Sequence, residues 1–94
     1  MAMAERRRRP ERAKLYESSV FKDLQARLAA NVRRLMETMG WTQEEAAHQC
    51  GMPVRLLQGV EAGTDNSTLV TVARIIEGFE VDAQELFAPI PDED

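Results

Sequence analysis

Ninety-four residues, 44% of them hydrophobic, suffice for one small folded domain with tails and leave no room for a second core. No run approaches the roughly 18 apolar residues of a membrane span. No apolar segment follows the N-terminal charges as a secretory signal requires, and the lone Cys50 has no partner for an internal disulfide, so a reducing cytoplasm is the expected compartment. The net charge of −4 is unevenly spread. Residues 1–22 carry seven Arg or Lys against three Glu, whereas residues 23–94 carry five basic and thirteen acidic side chains. A basic arm joined to an acidic body suits a polyanion at one end only, because phosphate contacts require Lys or Arg.

Residues 1–17 read as a basic, mostly flexible arm. Its MAMAERRRRP opening is charged, lacks apolar periodicity and ends in Pro10, although part of 11–17 can be helical. The domain proper is expected over 18–88. Its first helix should run from about Val20 to Met39, capped by Ser18 or Ser19. Phe21, Leu24, Leu28, Val32, Leu35, Met36 and Met39 recur at three- and four-residue spacing and define its buried stripe. Gly40 ends it. A second helix, about Gln43 to Gln49, opens at Thr42-x-x-Glu45, the spacing at which a hydroxyl and a carboxylate each satisfy an orphan N–H at a helix start. Ala46, Ala47 and Cys50 should face inward, and Gly51 supplies the left-handed residue after the helix end.

The third helix is expected from about Pro53 to Glu61, with Leu57 and Val60 inward, because Pro is tolerated in a first turn. Two short helices across a tight turn form a helix-turn-helix, a unit whose second helix commonly lies in the DNA major groove. After the loop from Gly63 to Ser67, a fourth helix from about Thr68 to Gly78 should take Ser67 as cap and bury Leu69, Val72, Ala73 and Ile76. A short fifth helix near Ala83 to Phe87 should start at Asp82 and dock Leu86 and Phe87. Pro89 and Pro91 stop further helix, leaving 89–94 as an acidic tail. No alternating strand pattern and no internal repeat is present. The expected fold is all-α, a five-helix bundle with an extended first helix.

The chain resembles the phage repressor/Cro-like (XRE-type) helix-turn-helix family over roughly residues 28–88. The resemblance rests on Val32-Arg33-x-Leu35, Gly40-Trp41-Thr42-Gln43-Glu44-Glu45-Ala46-Ala47, Gly51, Leu57, Val60-Glu61-x-Gly63, Leu69-x-x-Val72-Ala73 and Val81-x-x-x-Glu85-Leu86-Phe87. It implies a sequence-specific DNA-binding regulator. Gln43 resembles the residue that contacts the DNA backbone and braces the reading helix, with Thr42 beside it at a helix N-terminus suited to phosphate. Val54, Arg55, Gln58 and Gly59 fall on the base-reading face. Arg55 suits guanine, Gln58 suits adenine, Val54 offers only a thymine methyl contact, and Gly59 reads nothing. Arg6, Arg7, Arg8 and Arg9 can follow phosphates or enter a minor groove.

The chain also departs from the family pattern. Pro53 stands where a Ser or Thr usually caps the reading helix, Thr64-Asp65-Asn66 stands where cations are common, and Met36 replaces an Arg that pairs with the Glu at position 61. Glu61 is left to Arg33 or to solvent. Because one helix reads only a few base pairs, a homodimer on double-stranded DNA is expected. Tyr16, Val20 and Phe21, or Phe87, Pro89 and Ile90, are the candidates for its surface, and both sets read equally well as the edge of the core. The rival function is a protein-protein interaction module with little or no DNA binding, in which Met52, Val54 and Leu56 form an apolar patch.

Trp41 should plug the core between the first two helices. His48 and Cys50 are too few for zinc, which needs about four ligands, and Cys50 reads as a small buried apolar residue. With no nucleophile–base pair and no glycine-rich phosphate loop, the chain is expected to be neither an enzyme nor a holder of metal or cofactor.

Overall fold

The computed structural model describes residues 12–91. The Arg6–Arg9 run lies outside the described residues. Six helices follow one another: α1 (Arg12–Tyr16), α2 (Ser19–Met39), α3 (Gln43–Cys50), α4 (Val54–Ala62), α5 (Leu69–Phe79) and α6 (Ala83–Leu86), with no strand among the described residues. The all-α bundle is therefore present, with one short helix, α1, ahead of the expected five. A turn at Glu17 separates it from α2.

The helix boundaries follow local chemistry. The Ser18 hydroxyl accepts from the N–H groups of Val20 and Phe21, which starts α2. Gly40, at φ 71°, ends it in the left-handed region that favours glycine. At α3 both halves of the capping box form. Glu45 N–H donates to the Thr42 hydroxyl at 3.1 Å, and Thr42 N–H donates to the Glu45 carboxylate at 2.8 Å. Pro53 precedes α4 and supplies no side-chain cap, as its lack of a polar group dictates. Thr68, not Ser67, caps α5, its hydroxyl accepting from Thr71 N–H at 3.2 Å. The Ser67 hydroxyl instead donates to the Asp65 carboxylate at 2.9 Å.

α2 is the spine. α4 and α6 pack on it, α3 packs on α4, and α5 packs on α3. The core is built from Leu28, Val32, Leu35 and Met36 of α2, Ala46, Ala47 and Cys50 of α3, and Leu57 and Val60 of α4. Met52, Ile75, Phe79 and Leu86 complete it. Two expected stripes need correction. Leu24 and Met39 are exposed at the two ends of α2, because that helix outruns the partners that cover its middle. On α5, Leu69 is 85% exposed and Ala73 is also exposed. Thr71, Ile75 and Phe79 face inward, with Val72 and Ile76 half-buried beside them. The start of α5 is turned so that position 71, whose hydroxyl can share a hydrogen bond with the capping Thr68, points in. Trp41, expected to plug the core, is only half-buried against it, and its ring meets Phe79 of α5 at 5.1 Å between centroids.

Asn31 is buried, a feature the apolar pattern of α2 conceals. Its amide nitrogen lies 2.9 Å from the carbonyls of Arg27 and Leu86 and 3.0 Å from that of Ala88. Arg27 adds a bond to the carbonyl of Phe87 at 3.2 Å. The chain after α6 is thus held to α2 by polar groups that would be costly to bury unpaired.

Candidate nucleic-acid interface

The turn between α3 and α4 is short and closed. Gly51, at φ 65°, donates to the carbonyls of Ala47 and His48, and the Arg74 guanidinium of α5 donates to the Gly51 carbonyl at 3.1 Å. This bond ties α5 to the turn between α3 and α4. Buried Leu57 and Val60 fix the rotation of α4 about its axis, which leaves Arg55 and Gln58 exposed on the opposite side. Val54 and Leu56 are half-buried and packed on the core, so Val54 reaches outward less than Arg55 does. Gly59 is half-buried, and a Cβ there would meet Asp65 Cβ at 3.4 Å, an ordinary contact.

A chain of side-chain hydrogen bonds links α3 to α4. Gln43 Nε2 donates to the Glu61 carboxylate at 2.7 Å, and Gln58 Nε2 donates to Gln43 Oε1 at 3.0 Å. Glu61 thereby finds a partner that its sequence context hides. Arg33, the expected candidate, donates instead to the Glu61 backbone carbonyl at the C-terminal end of α4. Thr42, Gln43 and Gln58 thus share one edge, with Arg55 on the same exposed side of α4. The Thr42 hydroxyl is committed to the cap.

Asp65 stands at the margin of this surface. It lines an open recess with Pro53, Arg55 and Leu56, and its backbone carbonyl accepts from Gln25 at 2.8 Å. Where a cation would help attract phosphate, this loop offers a carboxylate. Of the apolar patch that the protein-interaction reading requires, Met52 is buried, and Val54 and Leu56 are half-buried against the core.

Among the described residues no group of three or more His, Cys, Asp or Glu could hold a metal, and no helix is long and apolar enough to cross a membrane. Burial lifts the Cys50 thiol from 9.0 to about 11, which suppresses the thiolate that a nucleophile requires.

A family profile described as a helix-turn-helix domain matches residues 27–88. The chain belongs to the helix-turn-helix family. It is 36% identical over 67 residues to a protein named a hypothetical transcription factor from Neisseria meningitidis serogroup B. That match covers 71% of this chain and 63% of the relative, so the chain spans somewhat less than two thirds of the relative's length. The crystal structure of a hypothetical transcription factor from Neisseria superposes with a TM-score of 0.66 at 35% identity, covering 70% of this chain and 76% of the other.

Proposed function

We propose that this helix-turn-helix protein is a sequence-specific DNA-binding transcriptional regulator of the XRE type, acting in the cytoplasm, with α4 in the major groove. The observation that carries this reading is the outward pair Arg55 and Gln58, the latter tied to Gln43 at the start of α3. Arg55 forms two hydrogen bonds to the O6 and N7 of a guanine, and Gln58 pairs with an adenine. Free N–H groups at the start of α3, beside Thr42 and Gln43, hold a phosphate. The basic run Arg6–Arg9 adds sequence-independent attraction that offsets the acidic body. The relatives named transcription factors support the same role.

The protein acts as a two-fold homodimer on a palindromic site. One residue of each dimer surface expected from the sequence lines a common recess. Phe21 and Phe87 line it together with Leu24, Leu28, Leu69 and Val72, and its volume is about 190 Å³. Tyr16 borders that face, its ring 5.5 Å from Phe21 and its hydroxyl bonded to Asn66 at 3.0 Å.

The test is selection of sites from a random duplex library, followed by titration of Arg55→Ala on the selected site. Loss of about 1–3 kcal/mol confined to one base position supports the reading. A wild-type chain that selects no sequence and binds no duplex at low salt overturns it.

A further inference from the structure

We infer that Glu61, whose carboxylate is bonded to Gln43, sets which bases Gln58 accepts by fixing the direction of its amide; this rests on the DNA-reading role proposed for α4. A glutamine side chain can present its oxygen and its NH2 either way round, and the two choices favour different base edges. Here the choice is forced from one end. An ionised carboxylate only accepts hydrogen bonds, so the Gln43 atom 2.7 Å from Glu61 Oε1 must be the nitrogen. Gln43 Oε1 then faces Gln58 and only accepts, so the Gln58 atom 3.0 Å away must be its nitrogen.

Polarity is passed from Glu61 through Gln43 to Gln58. What remains free on Gln58 is the whole carbonyl oxygen and one N–H. That is one acceptor and one donor, the two kinds of group that the N6 amino group and N7 of adenine call for. A reversed Gln58 amide would offer Gln43 an oxygen against an oxygen. The anchor itself stays in place because Glu61 is half-buried and its backbone carbonyl is held by Arg33. With Met36 in place of a cation on the neighbouring helix, the carboxylate is left to Gln43. Glu61 is therefore a positioning residue for base reading.

The test compares base preferences of the full chain on its selected site. Gln58→Ala first marks the base pair that Gln58 reads. Glu61→Gln keeps the shape but removes the acceptor-only end, so preference for adenine at that pair should fall about tenfold, with little change in affinity for random duplex or in thermal stability. Combining Gln43→Glu with Glu61→Gln moves the acceptor-only group to position 43. This double variant should restore the adenine preference while weakening all DNA uniformly. A merely structural role predicts no such rescue. In case Glu61→Gln does not fold, the wild-type side-chain amides give a second reading: by NMR, those of Gln43 and Gln58 should be rigid on the nanosecond scale. Freely rotating amides, or DNA binding with the preference unchanged in Glu61→Gln, overturn the role of Glu61 alone. A wild type that binds no DNA overturns that role and the function together.

Discussion

Gly78 of α5 lies flush against Cys50 of α3. A Cβ at position 78 would stand 2.5 Å from the Cys50 sulfur, 2.8 Å from the Cys50 Cα and 2.9 Å from the Gln49 carbonyl oxygen. Two of these three atoms are backbone, so no rotamer change relieves the clash. The absence of a side chain lets α5 approach the end of α3 closely enough for Arg74 to clasp the Gly51 turn.

Gly78→Ala should therefore destabilise the protein. Alanine is the better helix former by about 1 kcal/mol, but forcing α3 and α5 apart costs more than that gain, for a net loss of about 1–3 kcal/mol. Urea unfolding followed by circular dichroism checks the sign. A stabilised variant would mean that the two helices separate freely.

Cys50 predicts a pH dependence. Its thiol is held neutral by burial, with the value raised from 9.0 to about 11. The unfolded chain ionises first as pH rises, so the folded state binds the proton more tightly. This contribution is full below pH 9 and is lost between pH 9 and 11, amounting to roughly 1–3 kcal/mol at most. Cys50→Ala should flatten the fall in stability over that interval relative to wild type. Native protein at pH 8 should react slowly with a thiol reagent and rapidly once unfolded.

Asp65 is predicted to restrain DNA binding. It shares a recess with Arg55 and places a carboxylate beside the face proposed to meet phosphate. Asp65→Asn removes the charge and keeps an acceptor for Ser67 and the backbone bond to Gln25. Affinity should rise by a similar factor for every duplex, more at low salt than at high, while base preference is unchanged. Titrations at two salt concentrations on the selected site and on random DNA measure this.

Much of the bundle was legible because its signals are local. Ser18, the Thr42–Glu45 box and glycines 40, 51 and 63 each act within a turn of where they stand. Alternation on α3 and α4 was also clear, since both helices are packed along one side. The rotation of α5 was hidden because Leu69, Val70, Val72, Ile75 and Ile76 surround the helix with apolar groups, so periodicity alone does not select a face. Asn31 and Gly78 escaped for a different reason: their roles depend on residues 55 and 28 positions away along the chain. At the candidate interface, the outward positions of Arg55 and Gln58 were implied by the family resemblance, and the burial of Leu57 and Val60 agrees with them. The bond from Gln43 to Glu61 did not, because it spans two helices whose angle is set by packing.

Leu69 carries the last prediction. A leucine 85% exposed at the start of a helix, beside Val70 at 63%, borders the recess that contains Phe21, Leu24 and Phe87. Large apolar side chains gathered at one spot mark a contact surface more often than single exposed ones do. Because Leu69 has little to lose within its own subunit, Leu69→Lys should leave the thermal unfolding of an isolated subunit nearly unchanged. In the proposed dimer the same lysine would be buried in an apolar contact, where an unpaired charge is strongly disfavoured. Sedimentation should show wild type moving as a dimer and the variant as a monomer. Affinity for the palindromic site should fall steeply, while affinity for a single half-site stays the same. A wild type that remains monomeric at high micromolar concentration would remove this surface from the account and leave the reading of α4 untouched.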